Sequence, residues 1–266
     1  MSGFLLIPRI EVHNANAQPA FWIVGAPPPT AFHGFAYALG LAINAKQNGV
    51  CIIHHDIEFL GEVFYGQLHP HQFRAAGLID KDDYSSRNAH VLSSQPTARC
   101  NIIASLAICF NDEEVEKVSM NAVERFLSGA RLAGGSIIEH EKIVFETDPE
   151  KIKRHIHTGW ALHERQDLMV RQPDDRDYLD VVLRVTRKER ERNPDHDFVM
   201  PTTLGYRTIT PIEQRVNARK GLPHAYAEPL VGLVQYKAVR DGGLPVWIAK
   251  HDAVTQIFVV TAPTAM

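Results

Sequence analysis

The order of patterned segments predicts an α+β fold, a ferredoxin-like βαββαβ core with additional C-terminal β-strands and a hairpin. Three observations carry this. An apolar, β-rich run precedes a helix-spaced set of bulky residues, and two more such runs follow it. A second helical pattern then leads into another strand. Beyond about residue 158 short strand-like runs predominate, so residues 1–266 are expected to form one domain with an elaborated C-terminal part.

Residues 4–12 are apolar and β-rich, with Pro8 inside the run. Proline cannot donate to a ladder, so this strand is expected at a sheet edge or with a bulge. Asn14 and Asn16 end it, and Pro27, Pro28 and Pro29 stiffen the exit. Thr30 is a candidate N-cap, after which Phe32, Phe35, Leu39 and Ile43 recur at helical spacing until Gly49. Residues 50–60 and 101–110 read as the second and third strands. Residues 113–133 read as an amphipathic helix, with acids in the first turn and Arg125 and Arg131 in the last, as the helix dipole favours. Residues 136–146 are expected to be a strand, and Asp148 to cap a short basic helix running to 157. Residues 177–192 look helical, with Leu179, Val182 and Leu183 on one face. Strands are expected near 203–210, 229–238, 245–250 and 255–261.

The net charge of −3 conceals an asymmetry. Residues 1–150 carry 10 Lys+Arg against 17 Asp+Glu, whereas residues 151–266 carry 18 against 14. Within 201–240, Arg207, Arg215, Arg219, Lys220, Lys237 and Arg240 face only Glu213 and Glu228, a local basic segment of the kind that meets polyanions. No apolar run reaches membrane-spanning length, and FLLIP at the N-terminus is too short for a secretory core. Cys51, Cys100 and Cys109 form no CxxC pair, which suits reduced, buried thiols and a cytoplasmic protein.

Among the 14 histidines, His54, His55 and Asp56, together with His69 and His71, suggest metal ligands. However, His54 and His55 alternate across a strand, and no HExxH or comparable spacing completes a site. The acidic run DKDD at 80–83 is no more specific. No metal and no cofactor are expected. RLAGGSI at 131–137 is neither GxGxxG nor a Walker loop. It reads either as a plain helix end followed by a tight turn, or as a site where Gly134 and Gly135 let the backbone approach RNA while Arg131 supplies charge. In LGYRTITPIEQRVNARKGLPHAYAEPL at 204–230, Tyr206, Arg207, Arg215, Asn217, Arg219, Lys220 and His224 combine phosphate-binding, stacking and base-reading side chains. Asn14 and Asn16, two apart at a strand end, could present amides to bases or sugars.

Four blocks occur in order: LLIPRIEVHNANA…PTAFHGFAYAL, RLAGGSI, GWALHER and LGYRTITP…NARKGLPHAYAEPL. Together they resemble the Csy-family RAMP subunit of type I-F CRISPR surveillance complexes, from residue 5 to about residue 236. The resemblance implies a noncatalytic, cytoplasmic subunit that holds the 5′ handle of the CRISPR RNA. It also implies contacts with the large subunit and the adjacent backbone subunit, and with target DNA indirectly or at the PAM end. Related RAMP proteins cut repeat RNA, so an endoribonuclease using His224, Tyr206 and Lys220 is the alternative. A metal-dependent hydrolase built on His54, Asp56, His69 and His71 is a third reading.

Overall fold

The computed structural model describes residues 3–70, 98–187, 197–216, 218 and 221–262. The N-terminal part runs β1 (Gly3–Asn16), α1 (Pro29–Ile43), β2 (Gln47–Phe64), β3 (Gln67–Pro70), β4 (Arg99–Phe110), α2 (Asp112–Val115), α3 (Met120–Leu127), β5 (Arg131–Leu132), β6 (Gly135–Glu139) and β7 (Val144–Glu146). It continues with α4 (Pro149–Ile156), β8 (Trp160–Glu164), α5 (Tyr178–Thr186), β9 (Val199–Thr208), β10 (Ala227–Ala238), β11 (Ile248–Asp252) and β12 (Ile257–Thr261). The fold is α+β. The sheet order is β11-β12-β9-β10-β8-β2-β4-β1-β6-β5, with β3 on β2 and β7 on β1, and the strands pair antiparallel throughout.

The first strand lies inside the sheet, between β4 on one side and β6 and β7 on the other. Pro8 is accommodated by a bulge: the register with β4 shifts between Ile7 and Ile10, and Arg9 adopts φ 44°. The Arg9 N–H donates to Ser105 Oγ at 2.9 Å, and Pro8 O accepts from Glu141 N at 3.0 Å. The bulge also explains why 136–146 is two strands. Glu139 pairs with Glu11 and Val144 with Leu6, and the ladder breaks opposite the proline.

Helix α1 begins at Pro29 with Pro28 at the N-cap position, rather than on Thr30; a proline in the first turn sacrifices an N–H that has no helical partner anyway. It ends at Asn44, which takes φ 57° and donates its N–H to Gly40 O and Leu41 O, while Gly49 lies within β2. Phe32, Phe35, Leu39 and Ile43 are all buried, each contributing about 2 kcal/mol of apolar transfer. Because α1 touches β5 near one end of the sheet and β9 and β12 near the other, the sheet curls around this helix. One core therefore joins Leu5, Ile10 and Leu39 to Leu204, Val234, Trp247 and Val260.

The expected helix over 113–133 is replaced by α2 and α3, separated by a stretch containing Val118 and Ser119, both weak helix formers. Helix α3 stops at Leu127, and Arg131, expected in the last helical turn, lies instead in β5, paired with β6. On the sheet face away from α1, α4 places Ile152 and Ile156 against Phe4, Leu6, Cys51, Ile53, Ala107 and Cys109. Asp148 caps it through Glu150 N at 2.9 Å, as the sequence predicts. Helix α5 is capped by Asp177 and buries Val181, Val182 and Val185 against Val199 and Leu233. Leu179 and Leu183 face solvent instead, and the expected extension beyond 187 lies outside the described residues until 197. Strands β3 and β8 were not anticipated.

Candidate nucleic-acid interface

Sequence-distant candidates meet at one corner of the sheet, where β1 ends. A second register shift between Val12 and Ala15 places Asn14 in a bulge at φ 61°, whereas Asn16 is back in register opposite Arg99. Asn14 is exposed, and its N–H donates to Asn101 Oδ1 at 3.1 Å. Asn16 is half-buried and makes an Asx turn: its Oδ1 accepts from Gln18 N at 3.3 Å and its Nδ2 donates to Gln18 O at 3.2 Å.

The RLAGG turn docks directly on this strand end, with Asn16 N donating to Ala133 O at 2.9 Å. Gly135 is glycine for close packing, since a Cβ there would lie 2.6 Å from His13 O and 2.8 Å from Ala15 N. Gly134 needs glycine for its backbone, at φ 77°; a Cβ would meet only Arg99 Nη1, at 3.8 Å. Arg99 pairs with Asn16 across β1 and β4, and Arg131 is exposed on β5. The corner thus gathers Asn14, Arg131, Gly134 and the unanticipated Arg99. Next to it, residues 17–25 form a closed loop, with Gly25 N bonded to Ala17 O at 2.9 Å, whose tip leaves Phe21 78% and Trp22 56% exposed. The adjacent aromatics at 21 and 22 were the available signal for that loop.

The second group of candidates lies on the arm formed by β9, β10 and their connection. The ladder continues past the strands: Ile209 N donates to Tyr226 O at 2.8 Å, and Glu213 and His224 exchange backbone bonds at 3.0 and 2.8 Å. Arg215 is already engaged here. Its Nη2 lies 2.9 Å from Glu213 Oε1, and its guanidinium carbon sits 5.1 Å from the centre of the Tyr226 ring. Arg207 is opposite Glu228, and Tyr206 is opposite Pro229 and Phe258. His224 is exposed, five residues before Pro229, or roughly 16 Å along an extended strand, so it is not beside Tyr206. Asn217, Arg219 and Lys220 lie outside the described residues.

The sheet face opposite α1 is unlike an RNA platform. Glu11, His13, Asp56, Glu58, Asn101 and Ile103 line a shallow cleft there, with His13 Nε2 2.7 Å from Glu11 Oε1. Carboxylates at that position repel phosphate.

Among the described residues the histidines form no shared metal site. His54 is buried, with Tyr236 Oη 3.1 Å from its Nδ1, and burial lowers its pKa to about 3. His55 turns the other way, to Ser105 Oγ at 2.6 Å. His69 pairs with Glu62, eight residues along β2 from His54, or roughly 26 Å. His71 and residues 80–83 lie outside the described residues. Among the described residues no group of three or more His, Cys, Asp or Glu could hold an ion, and no helix is long and apolar enough to cross a membrane.

Similarity to known proteins agrees with the four sequence blocks. A CRISPR-associated protein Csy2 from Pseudomonas aeruginosa (strain UCBPP-PA14) is 40% identical over 62 residues, which span 21% of this chain and 18% of that relative's length. A crystal structure of a CRISPR protein from Archaeoglobus fulgidus aligns over 99% of this chain and all of its own, at 11% identity and a TM-score of 0.32, too loose a likeness to bear on the fold. The model of the CRISPR-associated protein family Cas_Csy2 matches residues 5–241. The chain therefore belongs to the Cas_Csy2 family of CRISPR-associated proteins.

Proposed function

We propose that this chain is a noncatalytic subunit of a type I-F-like CRISPR complex that binds the 5′ handle of the CRISPR RNA. In this reading it contacts the large and backbone subunits during RNA-guided DNA targeting. The observation that carries the RNA assignment is the corner, where Asn14 at the end of β1, the glycine turn with Arg131, and Arg99 from β4 come together from three parts of the chain. Two guanidiniums beside an open glycine backbone suit phosphate, and an exposed amide suits a base edge or a sugar hydroxyl. The antiparallel order β2-β4-β1-β6, with α1 and then α2 and α3 in the connections, supports a ferredoxin-like RAMP core within a single domain. The acidic sheet face disfavours phosphate, so the RNA backbone contacts are assigned to the corner and its loops.

The test is to incubate the full chain with repeat-derived RNA carrying the handle, and with a scrambled RNA, in the presence and absence of EDTA. Tighter binding of the handle with both RNAs recovered intact is the expected result. Cutting that persists in EDTA would replace the reading with a metal-independent endoribonuclease. Failure to bind either RNA would remove it.

A further inference from the structure

A cleft of about 330 Å³ opens between β2, the start of β8 and the start of β9, within the roughly 300–1,000 Å³ typical of small-ligand sites. It follows from how β2 and β8 part. They pair only at Ile53–Ala161 and His54–Trp160, and the strands separate at Gly159. That glycine has φ 148°, and a Cβ on it would lie 2.6 Å from Ile53 Cγ2.

Trp160, Phe198, Met200 and Ile57 line the cleft with Tyr236, His54, His55 and Asp56. The Trp160 and Phe198 rings lie 5.4 Å apart at 45°, and are 42% and 60% exposed. Below them, His54 is 2% exposed; its Nδ1 meets Tyr236 Oη, and its Nε2 has no hydrogen-bond partner. Burial keeps this imidazole neutral. At the rim, Asp56 is exposed, and its Oδ1 accepts from Ile57 N at 2.9 Å.

The described lining residues include no Lys or Arg, so a phosphate would meet an aspartate and no cation. A flat, uncharged ring with hydrogen-bonding edges matches aromatic walls and a neutral imidazole. A carboxylate at the rim accepts from an amine and repels a carbonyl oxygen. We propose that this cleft takes an unstacked nucleobase bearing an exocyclic amine, with its face on Trp160 and Phe198 and its amine donating to Asp56. This rests on the RNA-binding reading above, and adds to it a second point of contact, away from the corner, with a base preference of its own.

The experiment measures binding of the full chain to short single-stranded oligomers of adenosine, cytidine and uridine. Adenosine and cytidine oligomers should bind several-fold tighter than uridine. Trp160→Ala and Phe198→Ala should each weaken adenosine binding by about tenfold, the loss of one stacked base. Asp56→Asn, which offers a donor as well as an acceptor, should bring uridine close to adenosine; stacking strength alone would leave the preference intact. Phe198 is the more exposed ring, so Phe198→Ala carries the test if Trp160→Ala misfolds by circular dichroism. Wild-type affinities in both ring variants would empty the cleft while leaving the RNA-binding reading in place. An adenosine preference unchanged in Asp56→Asn would overturn the rim assignment. Wild-type protein that binds none of the oligomers would overturn the RNA-binding reading and this cleft with it.

Discussion

The corner at the end of β1 and the arm beyond β9 and β10 both combine glycine, arginine and polar side chains, but the structure uses them in opposite ways. At the corner the backbone is fixed by a bulge, a docked turn and a glycine with no room for a Cβ, while Asn14 and Arg131 remain exposed. On the arm Gly221 stands in open space at φ 64°, while Arg215 is committed to Glu213 and Tyr226. A basic composition is therefore not the same as available charge. The corner spends its contacts on the backbone and frees its side chains. Arg215 has a neighbouring carboxylate to give up before it can meet a phosphate.

The largest effect expected from this contrast is on folding. Gly135→Val forces a side chain onto the β1 backbone and should destabilise the protein by about 3 kcal/mol, measured by urea denaturation. A midpoint equal to wild type would mean that the corner is as loosely held as the arm.

Next in size is a dependence on pH that belongs to the body carrying the corner. His54 titrates at about 3 in the fold against an ordinary 6.5, because burial penalises its charged form. Below about pH 6.5 the unfolded chain takes up a proton that the folded ring refuses, so the stability this group provides is present above that pH and is lost as pH falls toward 3. The loss between pH 6.5 and about pH 5 should be about 2 kcal/mol. His163, lowered to about 4 mainly by burial, acts in the same direction. His54→Leu should flatten the fall in urea midpoint over this window; an equally steep fall would assign the effect elsewhere.

For RNA, replacing Arg99 and Arg131 together with alanine should make the slope of log affinity against log salt shallower by about 1.4, the value for two single-strand phosphate contacts. An unchanged slope in that double variant would clear the corner of phosphate contacts. The smallest effect expected is Arg215→Ala, which removes a partly exposed ion pair and a ring contact. It should cost about 1 kcal/mol and change the salt slope little. A slope change as large as the double variant's would make the arm an equal partner in binding.

Much of the body was legible because burial leaves periodic traces. The helical spacing of Phe32, Phe35, Leu39 and Ile43 is the buried stripe of α1, and the apolar runs at 50–60 and 101–110 lie within β2 and β4. Pro8 announced a bulge but not its place in the sheet, since which strands flank β1 depends on chain far away. The division of 136–146 into β6 and β7 was hidden for the same reason: its cause lies in β1. Strand β8 was missed because Trp160–Glu164 has no β-branched residue, and is held in place by pairing with β2 and β10. At the candidate site, residue types point to Asn14 and to the glycine turn. Arg99 gave no signal because only the register of β1 on β4 brings it to Asn16. Composition likewise could not reveal that Arg215 has partners.

The described sheet ends on β5, a pair of residues, and on β11, five residues ending in Lys250, His251 and Asp252. A free strand edge is a template on which further chain can crystallise into an ever-longer ribbon. Two residues offer almost no template, and charged side chains discourage a neighbour at the other margin. Strand addition at either margin is thereby disfavoured. A partner docking at either of these two margins would therefore have to recognise side chains rather than extend the sheet.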